Sequence, residues 1–245
     1  MTHSSCLFHY TSIKSFEEIL KNKTIRFTRS DLLNDGKEVN ITDMPEIKPC
    51  VFISSWTKLR DESPVLWEKY GDNKHGVRIK LPYDMFRYET EPFVCHNTSG
   101  LMVTSLEFKK NRINHGRYDS MTPYVFGPID VKYKDNNSIS IRQGNGVKIE
   151  KIPETKTKDW EDEQESRYFI ASCVRWDSRT GLFAPDNKLM KNTPIDEFCD
   201  IPLNKDCINK IEIILGPDAT DHEKKYIKVL LCEYTSRTRG IDDIL

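Results

Sequence analysis

The chain lacks any stretch approaching the roughly 20 apolar residues that cross a membrane. Its first residues, MTHSSC, show no charged segment leading into an apolar run, so no signal peptide is visible. It also lacks an excess of either charge. Thirty-seven Lys and Arg against 38 Asp and Glu leave a formal net charge of -1, which gives no electrostatic reason to expect nucleic acid or an anionic membrane as partner. Lys109, Lys110, Arg112 and Arg117 form the best local basic patch, for which a solvated loop is the plainer reading. No C-x-x-C occurs among the seven cysteines (6, 50, 95, 173, 199, 207 and 232). Their odd number and scatter disfavour a disulfide framework and a structural zinc site, and point to reduced thiols. A soluble, cytoplasmic protein without a membrane partner is expected. Also missing are G-x-G-x-x-G, G-x-x-x-x-G-K, H-E-x-x-H and G-x-S-x-G. Cys95 and His96 adjoin, but neighbours on a strand face opposite ways, so no Cys/His dyad is expected.

What is present reads as alternating short elements. Cys6–Tyr10 suits a strand, and Ile13, Phe16, Ile19 and Leu20 then fall at helical spacing, with Ser12 or Ser15 to cap the first turn. Strands are expected over Thr24–Thr28, Val51–Ser55, Val77–Leu81, Ile129–Tyr133 and Ile211–Leu215. Ser63-Pro64 opens a second helix that Gly71 closes. Asp221–Tyr234 is a third, expected to bury Tyr226, Val229, Leu230 and Cys232. Trp160–Ile170 reads as helix passing into strand, or as strand throughout. Residues 84–129 show no clear period and look like an insertion. With no internal repeat, the pattern fits a single α+β domain over 1–245 rather than a regular βαβ series.

Three constellations carry candidate chemistry. His9 and Thr11, two apart on a strand, share a face and offer donors and acceptors to a sugar hydroxyl or an amide. A helix cap beside a satisfied core histidine explains the same residues. In Glu163-Gln164-Glu165-Ser166-Arg167, a strand would put Glu163, Glu165 and Arg167 on one face. Paired carboxylates of this kind bind sugar hydroxyls or stabilise an oxocarbenium-like centre, although an acidic run is usually a solvated face. Trp67 and Tyr70 share a helix face, and His75 lies just past the helix end, where a cation is favoured. Tyr70 or His75 would wall a pocket, or else belong to core and cap. Arg26 and Arg29 have the fork that suits phosphate oxygens.

The segments L-F-H-Y-T-S, F-x-x-I-L-x-N-x-T-I-R-F-T, L-N-D-G-K-E, W-E-K-Y-G-D-N-K-H-G-V-R-I, W-E-D-E-Q-E-S-R and I-E-I-I-L-G-P resemble, in order, a bacterial family catalogued as domain of unknown function 2971. The chain departs from it where the usual N-D-P-F-E becomes Asn34-Asp35-Gly36-Lys37-Glu38, and over 84–129. More weakly, a strand bearing H-x-T followed by a helix and an (I/L)-R is similar to the entry motif of ADP-ribosyltransferase folds. That likeness implies a mixed or antiparallel split β-sheet with flanking helices, and NAD as substrate with no metal. His9 and Thr11 would hold NAD, Arg26 or Arg29 would meet the pyrophosphate, and Tyr70 would wall the nicotinamide. Glu165, helped by Glu163, would stabilise the oxocarbenium ion. The catalytic candidates are thus Glu165, Glu163 and His9; the cofactor-binding candidates are Thr11, Arg26, Arg29, Tyr70, His75 and Arg167. The expected product is ADP-ribose on a protein or nucleic-acid acceptor, in a bacterial toxin or anti-phage effector that a partner protein can inhibit. The alternatives are a non-catalytic nucleotide-binding or protein-interaction module, and a metal-dependent nuclease or hydrolase.

Overall fold

Local chemistry accounts for where the helices begin and end. Helix α1 (Ile13–Asn22) starts at Ser12, whose hydroxyl accepts the Ser15 N–H at 3.1 Å, and it buries Phe16 and Leu20, one turn apart. Helix α2 (Pro64–Tyr70) is capped by Ser63, with Pro at its first position, where no backbone N–H is needed. Helices α3 (Asn187–Met190) and α4 (Lys205–Asn209) are single turns. Helix α5 (Asp221–Tyr234) opens with a reciprocal Thr220/Glu223 capping box. Its buried face is Ile227, Leu230 and Leu231, turned toward α1. Of the residues expected inside, only Leu230 is buried. Tyr226, Val229 and Cys232 are exposed, because α5 rests on α1 along the neighbouring stripe.

The computed structural model describes residues 6–95, 101–106, 112–121 and 124–235; Lys109, Lys110 and His96 lie outside these. Among the described residues the large sheet has ten strands. They are β1 (Cys6–Thr11), β2 (Thr24–Arg29), β3 (Val51–Thr57), β4 (Val77–Pro82), β5 (Thr90–Cys95), β6 (Leu101–Ser105), β7 (Tyr124–Asp130), β8 (Glu165–Ala171), β9 (Phe198–Pro202) and β10 (Glu212–Leu215). The order is β10-β4-β1-β3-β8-β7-β6-β5, with β2 also on β3 and β9 on β2. Its recorded pairs are all antiparallel. The 84–129 stretch therefore supplies three strands of this sheet, together with a hairpin of Arg112–His115 and Tyr118–Met121. The fold is α+β with antiparallel sheets; among the described residues the one parallel strand pair is Lys132–Lys134 with Thr155–Thr157.

One edge of β3 is shared by two strands. Strand β8 covers the other edge along its whole length, Glu165↔Thr57 to Ala171↔Val51. On the shared edge β1 pairs only at Phe8↔Thr57, while β2 pairs only at Thr28↔Ile53 and Arg29↔Phe52. Between those points the sheet splits, leaving Ser54–Trp56 without a recorded strand partner on that edge. Two cores cover the two faces. Side chains alternate along a strand, so Tyr168 and Ile170 of β8 join Phe16, Leu20 and Trp56 beneath α1, whereas Phe169 and Ala171 join Ile53, Ile141 and Phe183. Gly76, ahead of β4, closes the end of β1: a methyl group there would run into the Thr11 carbonyl oxygen. Gly76→Ala is expected to cost about 1–3 kcal/mol and to lower Tm by roughly 2–4 °C for each of those kcal/mol. Calorimetry checks this, and an unchanged Tm would contradict the close approach.

Candidate functional site

A cleft of about 670 Å3 lies at the split. Strand β3 borders it from Ile53 to Thr57, β1 from Phe8 to Thr11, and the loop after β2 through Asn34, Asp35 and Glu38. His9, Thr11, Arg26, Tyr70, Glu163 and Glu165 all line it, whereas Arg29, His75 and Arg167 do not.

His9 and Glu165 meet this cleft from opposite faces of the sheet. Residues paired across antiparallel strands share a face, so Phe8, Thr57 and Glu165 stand together. His9, one residue along β1, stands opposite, and its ring lies 5.0 Å from that of Trp56. Its Nδ1 donates to the Ser55 carbonyl at 3.0 Å, on the β3 edge that lacks a strand neighbour. A carbonyl only accepts, so the proton sits on Nδ1 and the lone pair on Nε2. The imidazole thus takes the place of a strand partner. Burial lowers its pKa below the ordinary histidine value, an effect the Ser55 bond only partly offsets.

Across β3 lies a buried ion network. Glu163 is the last residue of a 3-10 helix (Lys158–Glu163), and β8 begins at Glu165. The strand expected to carry both carboxylates on one face is therefore interrupted, because Gln164 adopts a left-handed turn (φ 40). That turn still brings both acids to one ammonium. Lys156 Nζ lies 2.8 Å from Glu163, 3.2 Å from Glu165 and 3.2 Å from Glu38. Arg167 holds Glu165 with two bonds of 2.7 and 2.8 Å. Its Nη2 is also 2.8 Å from Glu38 Oε2, out of line for a hydrogen bond. Tyr70 donates to Glu163 at 2.8 Å, and Lys69 approaches the same oxygen at 3.4 Å. The Trp160 ring lies 4.5 Å from the Lys69 ammonium and 4.4 Å from that of Lys156.

These contacts set the charges. Burial pushes the Glu165 carboxyl up, but the Arg167 charge and hydrogen bonds outweigh it, with Lys156 adding to them, and lower its pKa to about 2. Burial pulls the Lys156 ammonium down, yet the carboxylates of Glu165 and Glu38 raise it overall. Glu38 is raised, by burial first. Tyr70 is held well above the ordinary phenol value, by burial and then by Glu163, so it remains a donor. At the cleft floor Asp35 Oδ1 accepts the Lys37 N–H, while its buried Oδ2 has no hydrogen-bond partner among the described residues.

The other candidates have local partners. Arg29 donates to Asp31, Pro194 O and Asp196 O, fixing the loop before β9. His75 meets Glu223 at 3.2 Å, at the start of α5 rather than at the cleft. Arg167 is fully buried and reaches the cleft only through the acids it holds. Lys156 and Glu38 escaped the sequence reading. Lys156 sits between two threonines in a three-residue strand whose residues are all buried, and nothing in its neighbours marks it as charged and inside. Glu38 was visible only as the last residue of the L-N-D-G-K-E block. Among the described residues no group of three or more His, Cys, Asp or Glu is arranged to hold a metal ion, and Lys156 fills the point where three carboxylates converge. No described helix is long and apolar enough to cross a membrane.

A family model described as "Protein of unknown function (DUF2971)" matches residues 66–168. Over that stretch the chain is similar to this family. The match runs from α2 into β8 and takes in Tyr70, Lys156, Glu163 and Glu165, but stops short of His9, Thr11 and Arg26. It also passes through 84–129, where the sequence reading found no likeness. No curated protein and no solved structure matches the chain.

Removing one partner from a buried ion network leaves uncompensated charge. Lys156→Met is expected to cost about 3–5 kcal/mol at pH 7. Without the ammonium, Glu38, already raised by burial, loses a neighbouring charge that lowers it and rises further. The loss should therefore shrink as pH falls into the carboxylate range. Urea unfolding at pH 7.5 and 5 checks both, and a loss that is small or independent of pH would contradict the network.

Proposed function

We propose that the protein cleaves the bond between nicotinamide and ribose in NAD, in the manner of ADP-ribosyltransferases, and transfers ADP-ribose to a macromolecular acceptor. The observation that carries this reading is a pair of carboxylates at one cleft, Glu165 held ionised with its pKa lowered to about 2, and Glu163 tied to the hydroxyl of Tyr70 in the wall. The reacting end of NAD is a cationic pyridinium, and it becomes an oxocarbenium ion as the C1′–N1 bond breaks. The bonding pair leaves with N1, giving neutral nicotinamide. The positive charge left on the ribose is what fixed carboxylates stabilise without reorganising. The acceptor nucleophile then bonds to C1′ and gives up its proton to water. If water is the nucleophile, the same steps make an NAD hydrolase.

A second reading, a nucleotide-binding module without catalysis, is favoured by a specific observation. Arg167 occupies both oxygens of Glu165, and Ser55 occupies His9 Nδ1. Nicotinamide release followed by chromatography separates the two. The catalytic reading expects release by the wild-type protein and a fall of about 100-fold or more in Glu163→Gln, compared at a temperature where both proteins stay folded. Nucleotide binding without any nicotinamide release would overturn it. Labelled NAD added with cell lysate would then show whether protein, nucleic acid or water takes the ADP-ribose.

A further inference from the structure

At the mouth of the cleft, β2 and β9 present one shared face. Arg26 lies directly across from Asp200, and Thr28 across from Phe198. Because alternate residues share a face, Arg26, Thr28, Phe198 and Asp200 stand on the same side of this two-stranded ribbon. The Arg26 guanidinium sits 3.6 Å above the centre of the Phe198 ring. Its Nε and Nη2 donate to the two carboxylate oxygens of Asp200 at 2.9 and 3.0 Å. One flat face of the guanidinium is therefore covered and two of its three nitrogens are engaged. The Arg26 side chain nonetheless stays 55% exposed, and it lines the cleft together with Thr28, Leu32 and Asp200.

This arrangement is not a phosphate clamp, since the fork that would grip two phosphate oxygens already holds a carboxylate. It is a flat, cationic plate, fixed in orientation by Asp200 and backed by an aromatic ring. Such plates stack nucleobases, whose π-faces lie well on guanidinium and aromatic planes. Leu32, 45% exposed, adds apolar surface to the same cleft. We propose that Arg26, backed by Phe198 and held by Asp200, is the stacking platform for the adenine of a free nucleotide whose other end enters the cleft. The ligand is a small nucleotide rather than nucleic acid because three cationic and six anionic described side chains line the cleft. That balance repels a polyphosphate backbone while leaving Lys14 and the remaining Nη1 of Arg26 for one or two phosphates.

The assignment deepens the NAD reading, on which its choice of adenine rests. Its test uses binding rather than turnover. Adenosine monophosphate and nicotinamide mononucleotide are titrated separately into the full chain by calorimetry, with wild type, Phe198→Ala and Phe198→Trp compared. Phe198 is 44% exposed and outside the buried clusters, so neither change threatens the core. Phe198→Ala is expected to weaken adenosine monophosphate by about tenfold and nicotinamide mononucleotide by less than twofold, while Phe198→Trp keeps wild-type affinity for both. Equal weakening of the two ligands, an unchanged adenosine monophosphate affinity, or no binding by the wild type overturns the platform. Preference for a single-stranded oligonucleotide over the mononucleotide also overturns it. If adenosine monophosphate binds through Phe198 yet no nicotinamide is released, the platform stands and the NAD-cleaving reading falls. If nicotinamide is released with a KM for NAD indifferent to Phe198→Ala, the platform falls alone.

Discussion

The Lys156 ammonium is the contact on which the rest of the site depends. Three carboxylates, from the loop after β2, from the end of a 3-10 helix and from the first residue of β8, converge on it within 3.2 Å. Without a cation at that point, Glu38, Glu163 and Glu165 would repel one another inside the protein, and the loop, the helix end and the strand could not meet. Arg167 completes the arrangement from beneath, and Lys69 reaches Glu163 from the wet side. Such a network is a poor source of net stability, because desolvation cancels most of the Coulomb gain. What it fixes is position and charge. It anchors the start of β8, the strand between the two cores, and keeps Glu165 ionised at the border of an open cleft.

The second constraint is geometric. Strand β3 gives one edge to both β1 and β2, and neither follows it for more than two recorded pairs. The split that results exposes polar backbone, and a buried carbonyl without a donor is costly. His9 answers that cost by donating to Ser55. A cleft, a histidine at its edge and a carboxylate on its far side are thus consequences of one sheet that fails to close. The two polar pairs flank β3 rather than facing each other on one surface. A ligand touching both must pass the free edge of β3.

Much of this was legible in the sequence where chemistry is local. Ser12 and Ser63 are found capping the helices for which the sequence offered them, and α5 has the bounds its periodicity set, although its Thr220 cap was not read. Strands with clear alternation were visible, such as Val77–Leu81, found as Val77–Pro82. Long-range pairing was not. Strands β5 to β7 carry weak periodicity, and only their place beside β8 shows why they are strands. The likeness of Glu163, Glu165 and Arg167 to a strand face concealed a left-handed turn at Gln164, a conformation with no signal in a residue other than glycine or asparagine. Lys156 and Glu38 were invisible as site residues because they lie 118 residues apart and are joined only by the fold. Buried charge cannot be told from surface charge until the partner is known.

The most direct measurement of the central claim is a carbon-detected NMR titration of the Glu165 side-chain carboxyl, assigned by comparison with Glu165→Gln. Held by Arg167 and Lys156, the carboxyl should keep its ionised chemical shift down to the lowest pH at which the protein stays folded, consistent with a pKa lowered to about 2. Titration near the ordinary carboxylate value of 4.5, or above it, in the folded protein would contradict the network and the fixed charge at the cleft.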